Sequence, residues 1–332
     1  MINKIDYIAI AGDSGGHIFP AIKYINELSK IKNPENILFI TNERGTNFCD
    51  QIKNKNVNIY KINSKNKILF IFNVIRYLTL ILFKNKKIIL IGFGGFITSP
   101  VLFLAKFFNI LFFSNNKIFI HEQNYILGLA NKINCKIVDR IFTSFPTDNF
   151  NKKEIFVGNF FNESIVDKEK LDDNFINILL LGGSGGSLEI NNILLNKLKK
   201  LDVEILKNIH LSIQIPTIYL NSYREKYLDI SKNINFFSFN PNLDYKNYDL
   251  IISRSGSGSL NDILYLTNSV HFIPHLHSRD NHQSLNLNFY KKYCHIHDIL
   301  EIPLLKKDKN PFYISSIINP FSIQKIICYT TR

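Results

Sequence analysis

Short apolar runs alternate with segments of helical periodicity along the whole chain, and glycine-rich turns join many of them. An apolar run of roughly four to eight residues is typical of a buried strand, whereas apolar residues three and four apart indicate a helix. Repeated strand–loop–helix units predict parallel sheets with helices on both faces. The pattern starts afresh at Ile176, so we expect two such halves. The predicted strands are 8–11, 37–40, 57–62, 87–91, 118–120, 141–143, 155–159, 176–181, 211–215, 235–239, 249–252 and 270–273.

Glycine-rich loops follow several of these strands directly. The first, residues 12–20, leads into a helix in which Ile18, Ile22 and Ile25 share a face, with Pro20 expected in the first turn. Open α/β sheets bind ligands at the carboxyl ends of their strands, and the N–H groups of a following helix hold a phosphate without a metal. The competing interpretation is a set of tight strand-to-helix turns. The other loops are 92–100, 182–187 and 253–262.

Two long apolar segments lie in the first half. Residues 68–83 are flanked by lysines, and as a helix they would span about 24 Å, less than the roughly 30 Å of a bilayer's hydrocarbon core. Because the segment also contains Arg76, a transmembrane span is disfavoured and a helix lying in a membrane interface is favoured. The alternative is a helix between sheet and solvent. Residues 101–113, with a polar edge at Lys106 and Asn109, would extend the same surface.

Composition narrows the class of protein and its partners. Of the 332 residues 45% are hydrophobic and 20% charged, which suits two folded domains. The net charge of +13 falls mainly in residues 1–150, where 19 Lys and Arg face 9 Asp and Glu. That excess indicates an anionic membrane surface. Nucleic acid is disfavoured as a partner, because no recognition motif accompanies the charge.

Metal binding and secretion are both disfavoured. The 4 cysteines form no CxxC pair, and the pairs His275/His277 and His295/His297 have no Cys or Glu at ligand spacing, so we expect no metal. The first residues show no signal-peptide pattern, which together with the scattered cysteines favours the cytosol.

In order and spacing, the loops resemble the motifs of the MurG family, the lipid II synthases. The family motifs GGTGGHxFP, GxGGYxSxP, HEQNxxxGxxN, GGSQGAxxxN, RxGAxTxxE and HQxxN correspond to residues 12–20, 92–100, 121–131, 182–191, 254–262 and 282–286. One short glycine loop matches often by chance, whereas six motifs in the same order are specific. The resemblance covers roughly residues 6 to 290.

The resemblance implies an α/β fold of the GT-B type, in which two Rossmann-like domains place their parallel sheets across a central cleft. We expect an acceptor- and membrane-facing domain at 1–158, a UDP-sugar-binding domain at 159–315, and a segment, 316–332, that packs back on the first domain. The implied reaction needs no cofactor: an inverting transfer of N-acetylglucosamine from UDP-GlcNAc to lipid I (undecaprenyl-diphosphate-N-acetylmuramoyl-pentapeptide). It would take place at the cytoplasmic side of the cell inner membrane, in peptidoglycan synthesis.

Residue roles follow motif by motif from the resemblance. His17 is the candidate base, because an imidazole with an ordinary pKa of about 6.5 suits proton transfer near neutral pH; alternatively it only orients the acceptor or the loop. Arg254 either pairs with the diphosphate or braces its loop, and Asp262 is assigned to the ribose. The other expected substrate-binding residues are Ser14, Gly15 and Gly16 in the first loop, Asn124 and Asn131 toward sugar or acceptor, Ser184, Gly185, Gly186, Ser257 and Gly258 at the diphosphate, and His282, Gln283 and Asn286 at the sugar hydroxyls. The expected membrane-facing residues are Ile68, Phe72, Ile75, Leu82, Lys84, Lys86, Lys87 and Phe107.

Several positions depart from the family pattern and leave alternatives open. Asp13 replaces a glycine, Gly185 a glutamine and Asp262 a glutamate, and Asn162 stands where the family usually has arginine. One alternative is another GT-B glycolipid glycosyltransferase, and a second is a non-catalytic relative that binds UDP or membrane without turnover. A nicotinamide enzyme is disfavoured, because no acidic residue follows the second strand in the expected way.

Overall fold

The chain divides into two compact units. The computed structural model describes residues 4–12, 14–62, 67–85, 87–146, 152–160, 175–183, 186–228, 230–231, 233–238, 240, 243–266, 270–275, 278–291 and 322–331. The first unit comprises Met1–Phe160 and Asn319–Arg332, and the second Phe161–Ile318. The domain boundaries 1–158, 159–315 and 316–332 stay predictions, because a domain is defined by independent folding and compactness alone does not test that.

The first unit is built on a seven-stranded sheet in which every strand pair is parallel. Its strand order is β3-β2-β1-β4-β5-β6-β7. The strands are β1 (Tyr7–Ile10), β2 (Ile37–Asn42), β3 (Asn58–Ile62), β4 (Ile89–Gly92), β5 (Lys117–Glu122), β6 (Arg140–Thr143) and β7 (Glu154–Phe156), and the helices between them are α1 (Gly15–Leu28), α2 (Glu43–Thr46), α3 (Lys67–Lys84), α4 (Thr98–Leu111) and α5 (Leu129–Asn134).

The second unit repeats this arrangement with five parallel strands in the order β10-β9-β8-β11-β12. The strands are β8 (Ile176–Leu181), β9 (Ile209–Gln214), β10 (Ile234–Phe237), β11 (Leu250–Ser253) and β12 (Val270–Phe272), and the helices are α6 (Leu188–Leu198), α7 (Val203–Lys207), α8 (Leu220–Leu228), α9 (Ser257–Leu266) and α10 (His282–Lys291). The predicted fold class is therefore confirmed: two α/β units with parallel, Rossmann-like sheets.

A last helix, α11 (Ser322–Thr331), belongs to the first unit. The Tyr24 hydroxyl on α1 donates to Thr330 Oγ1 at 2.9 Å, and Ile326 and Ile327 are part of the core on that face of the sheet. Desolvation raises the pKa of Tyr24, which therefore stays a neutral donor in this contact.

Each sheet has a point where the strand order reverses. In the first unit β1 lies between β2 and β4, and in the second β8 lies between β9 and β11. The loops that leave the two strands at such a point run to opposite faces of the sheet, so a crevice opens between them. In the first unit these are the loops after β1 and β4, and in the second those after β8 and β11. Four of the predicted motifs fall on these four loops.

Candidate active site

The two loops at the switch point of the first unit contact each other. Gly12 N donates to Gly94 O at 3.3 Å. Helix α1 begins at Gly15, so Pro20 lies inside it and not in the first turn as predicted. The prediction placed the start too late, because the glycines that open the helix carry no apolar side chains that would reveal it in the sequence. Of the loop residues expected to bind substrate, Ser14 and Gly16 are exposed and Gly15 is buried. Asp13, which replaces a family glycine, lies outside the described residues.

His17 lies in the first turn of α1 and is packed against the loop after β4. A Cβ atom at Gly94 would come within 2.6 Å of His17 Nδ1, and Gly94 has a φ of +106°, which favours glycine. Gln123 Nε2 lies 3.4 Å from the same nitrogen. The imidazole thus lies at the carboxyl edge of the sheet, against residues from the loops after β4 and β5.

Glu122 organises the loop that follows β5. Its Oε1 accepts from Asn124 N at 2.9 Å and Asn124 Nδ2 at 3.1 Å, and its Oε2 accepts from Gly128 N at 2.8 Å and Asn131 Nδ2 at 2.9 Å. Asn131 also donates to His121 O at 3.1 Å and is 2% exposed, so in this structure it is engaged within the fold, and its contact with sugar or acceptor stays a prediction. Asn124 is half-buried. With four donors on its carboxylate, Glu122 is a structural acceptor in this loop.

His121 is held neutral beneath the same loop. Its ring stacks on Phe160 with centroids 4.5 Å apart, and its Nε2 lies 3.1 Å from Ser144 Oγ. Burial, and secondarily the nearby imidazole of His17, lowers the pKa of His121 to about 3. His121 is therefore uncharged near neutral pH, where it packs as an aromatic ring.

In the second unit, side chains of β9 and α6 hold the backbone of the glycine loop after β8. Gly182 N donates to Gln214 Oε1 at 2.9 Å, and a Cβ atom at Gly182 would collide with the backbone of Ser187. Asn191, on α6, donates to Ser187 O at 2.8 Å. Gly186 has a φ of +71°. Ser184 and Gly185, expected at the diphosphate, lie outside the described residues.

Arg254 is a brace between the loops after β8, β11 and β12. Its guanidinium donates to Ile273 O and Pro274 O at 3.2 Å each, to Ser187 Oγ at 2.9 Å and to the carboxylate of Glu189. Arg254 is buried, whereas Glu189 is half-exposed. Of the two roles left open, bracing is the one that this geometry supports. Glu189 was missed by sequence reasoning, although an acidic residue in the first turn of a helix after a glycine loop is a visible signal.

The remaining predicted donor-site residues divide into exposed and buried ones. Gly258 is exposed, Asp262 and His282 are half-buried, and Ser257 is 5% exposed at the start of α9. Gln283 Oε1 accepts from His275 N at 2.9 Å. Asn286 is wholly buried on α10, next to the buried Leu287, and its contact with a sugar hydroxyl stays a prediction.

Helices α3 and α4 present an apolar surface, here called the α3–α4 face. Its large exposed side chains are Phe72, Ile75, Leu80, Phe83, Phe103, Phe107, Ile110, Leu111, Phe112 and Phe113. Lys84 and Lys87 are exposed beside it. Leu82 is 2% exposed and belongs to the sheet core, which corrects its membrane-facing assignment. Lys86 and the side chain of Ile68 lie outside what the structure describes. Across the described residues, every helix falls short of the length and apolar character that crossing a bilayer requires.

Comparison with known proteins places the chain in a family. Residues 7–143 match the glycosyltransferase family 28 N-terminal domain, and residues 177–294 its C-terminal domain. The UDP-N-acetylglucosamine–N-acetylmuramyl-(pentapeptide) pyrophosphoryl-undecaprenol N-acetylglucosamine transferase of Rickettsia felis is 30% identical over 309 residues, covering 84% of this chain and 81% of that protein. The chain belongs to the MurG family. A second member, from Wolbachia pipientis subsp. Culex pipiens, is 29% identical over 290 residues, with 84% and 80% covered.

Solved structures agree with the MurG fold. Acinetobacter baumannii MurG superposes with a TM-score of 0.66 at 19% identity, covering 99% of both chains. UDP-GlcNAc 2-epimerase from Neisseria meningitidis, bound to UDP-GlcNAc, gives a TM-score of 0.60 at 14% identity, with 98% of this chain and 99% of that one covered. At these identities the likeness establishes the GT-B fold, which MurG proteins share with enzymes of other chemistry.

Proposed function

We propose that this chain is a hexosyltransferase that moves N-acetylglucosamine from UDP-GlcNAc to lipid I, giving lipid II and UDP. The relatives that are about 30% identical over most of their length carry this activity in their names. The observation that carries the proposal is that the family's glycine loops fall on the switch points of both sheets, with His17 fixed at one of them. Cell-wall synthesis, cell shape and division are the processes such a product would serve.

The chemistry asks for a base and for stabilisation of a leaving diphosphate. The acceptor hydroxyl attacks the anomeric carbon in a single displacement, so its proton must be removed as UDP departs. We assign His17 as the base that accepts this proton. The N–H groups of the loop after β8 and of the start of α9 would hold the diphosphate, since helix N-termini favour anions. Asp262, on α9, is assigned to the ribose.

The direct test is to incubate the chain with UDP-GlcNAc and a short-chain lipid I analogue and to measure UDP release and the disaccharide product. The proposal expects both at matching rates. UDP-GlcNAc binding without product would instead support a non-catalytic relative. Transfer to a diacylglycerol and not to the lipid I analogue would support a different glycolipid glycosyltransferase.

Arg254 offers a test of how the donor site is built. Replacing Arg254 by Met removes the donor of the contacts to Ser187 and Glu189, so the loop after β8 loses its brace. We expect the KM for UDP-GlcNAc to rise by about tenfold, with a smaller effect on kcat. The measurement is steady-state kinetics with UDP-GlcNAc varied.

Glu189→Gln separates bracing from direct contact with the diphosphate. If Arg254 braces the loop, this change raises the KM as well, and its effect with Arg254→Met is less than additive. If Arg254 binds the diphosphate itself, Glu189→Gln frees the guanidinium and the KM stays the same or falls.

We further propose that the α3–α4 face seats the chain on an anionic membrane, on the cytoplasmic side of the cell inner membrane where a polyprenyl acceptor is found. Phe113 is 93% exposed at the end of α4, and Phe83 packs edge-on against Phe108 and Phe112. An apolar surface of this extent, with lysines beside it, fits insertion at the level of the headgroups. The excess of basic residues in 1–150 also favours binding to an anionic membrane.

Charge reversal at Lys84 and Lys87 should weaken binding to anionic vesicles by about tenfold or more, since each basic residue near such a surface contributes about 1 kcal/mol. Co-sedimentation with phosphatidylglycerol-containing vesicles measures this. The matched control is charge reversal at the exposed Lys199 and Lys200 of the second unit.

Phe113→Ser should weaken binding to neutral and anionic vesicles alike. Its control is Ile218→Ser, because Ile218 is 83% exposed in the second unit. Equal partitioning of test and control variants would contradict the proposal.

A further inference from the structure

The side chain of Gln123 is placed to act on His17. Gln123 lies directly after β5, is 8% exposed, and carries its amide nitrogen 3.4 Å from His17 Nδ1. Glu122 and the loop to α5 fix the backbone on either side of it through four hydrogen bonds. The amide is therefore presented to the imidazole from a rigid part of the fold.

Two glycines let the backbone come close to this pair of side chains. A Cβ atom at Gly16 would come within 2.7 Å of Gln123 Nε2, and one at Gly94 within 2.6 Å of His17 Nδ1. The two glycines thus bring backbone against the amide on one side and against the ring on the other. Because these contacts are at Nδ1, we assign Nε2 to the incoming hydroxyl.

We propose that Gln123 is a positioning residue for His17: it holds the ring by Nδ1, presents Nε2 to the acceptor, and supplies the acceptor atom for Nδ1–H once the ring is charged. The inference rests on the proposed function. When the amide nitrogen donates to Nδ1, the neutral ring carries its proton on Nε2. Rotation of the amide by half a turn about its last bond brings Oε1 to Nδ1–H and leaves the Nε2 lone pair free.

The step balances with this second arrangement. The acceptor O–H bond breaks and its proton goes to Nε2, while the oxygen's electron pair forms the new bond to the anomeric carbon. The bond from that carbon to the diphosphate breaks, and UDP leaves with the electron pair. The imidazolium then has N–H on both nitrogens, and only the Oε1 arrangement gives Nδ1–H an acceptor.

Two titratable groups, His121 and Glu122, directly precede Gln123 at the end of β5. His121 is uncharged near neutral pH, so it places no second cation beside the His17 imidazolium. Glu122 is engaged by the four hydrogen bonds already described. Within the part of the chain that the structure describes, the loop after β4 and the start of α1 approach the pair with Gly94 and Gly16, which carry no charge; Asp13, before α1, lies outside that part.

The test follows the ring of His17 by NMR in the full chain labelled at histidine, with the signal assigned by its loss in His17→Gln. Gln123→Met keeps the volume but removes the acceptor for Nδ1–H, so the pKa of His17 should fall by about one unit. Gln123→Glu should raise it by about one unit or more. In parallel, Gln123→Met should lower kcat about tenfold or more with the KM for UDP-GlcNAc within about twofold, and Gln123→Glu should recover part of kcat with its acidic limb moved to higher pH.

The controls keep the outcomes distinct. Gln51→Met, a half-buried glutamine elsewhere in the first unit, should change neither quantity. An unchanged His17 titration and an unchanged kcat–pH profile in both Gln123 variants, with folded spectra, would overturn the inference. A wild-type chain that makes no product would instead overturn the proposed function, and the titration would still report on the Gln123–His17 contact.

Discussion

Replacement of His17 by alanine is expected to lower kcat by about 10² to 10⁴-fold, while UDP-GlcNAc still binds. A positioned general base contributes about that factor, and the change removes the imidazole without touching the second unit, where we place the donor. The measurement is kcat with saturating UDP-GlcNAc and lipid I analogue, alongside the dissociation constant of UDP-GlcNAc from calorimetry. Near-native turnover would remove the base role and leave His17 with orientation only.

Gly94→Ala tests the same role of His17 in another way, because it keeps the imidazole but moves it. The added methyl would lie 2.6 Å from His17 Nδ1, at a φ of +106° that alanine rarely adopts. We expect a loss of kcat of similar order, since misplacing a catalytic group by about 1 Å costs about 10²-fold. Gly128→Ala is the matched control: its added Cβ would have Glu122 Oε2 as nearest atom, at an ordinary 3.7 Å, and its N–H is retained.

Much of the fold could be read from the sequence because both sheets are buried on two faces. A strand such as Ile176–Leu181 has no solvent side, so it appears as an apolar run, interrupted by the buried Asn177, with glycine directly after it. Helices with weak apolar periodicity could not be predicted in the same way. Residues 282–286 are mostly polar in the sequence, yet α10 begins at His282, because the helix buries Leu287, Phe289 and Tyr290 just beyond them.

The site was harder to predict, because a motif gives residue types but not the direction in which side chains point. Leu82 lies on the same side of α3 as Leu78 and Ile81, so the helical repeat itself argued for burial. Asn131 and Arg254 are different cases. Their partners, Glu122 and Glu189, come from other elements, and only the folded chain shows that these polar groups satisfy each other.

The largest effect on stability is expected at Glu122, where Glu122→Leu should lower the free energy of unfolding of the first unit by several kcal/mol. The change removes the acceptor of four N–H bonds, and each donor left buried without an acceptor costs about 1–3 kcal/mol. Because two units need not unfold together, hydrogen exchange of the amides of β5 and α5 in the full chain measures the effect better than one melting curve.

Two further glutamate variants test whether the lost hydrogen bonds cause this loss of stability. Glu122→Gln keeps the shape and one carbonyl acceptor but turns an N–H₂ toward the remaining donors, so it should lose roughly half as much. Glu27→Gln breaks an exposed ion pair with Lys30 and should cost less than about 1 kcal/mol. If exchange at β5 and α5 were as slow in Glu122→Leu as in Glu27→Gln, the carboxylate would not be what orders this loop. His17 would then owe its position to Gly94 more than to Gln123, because the backbone that presents Gln123 is anchored by that carboxylate.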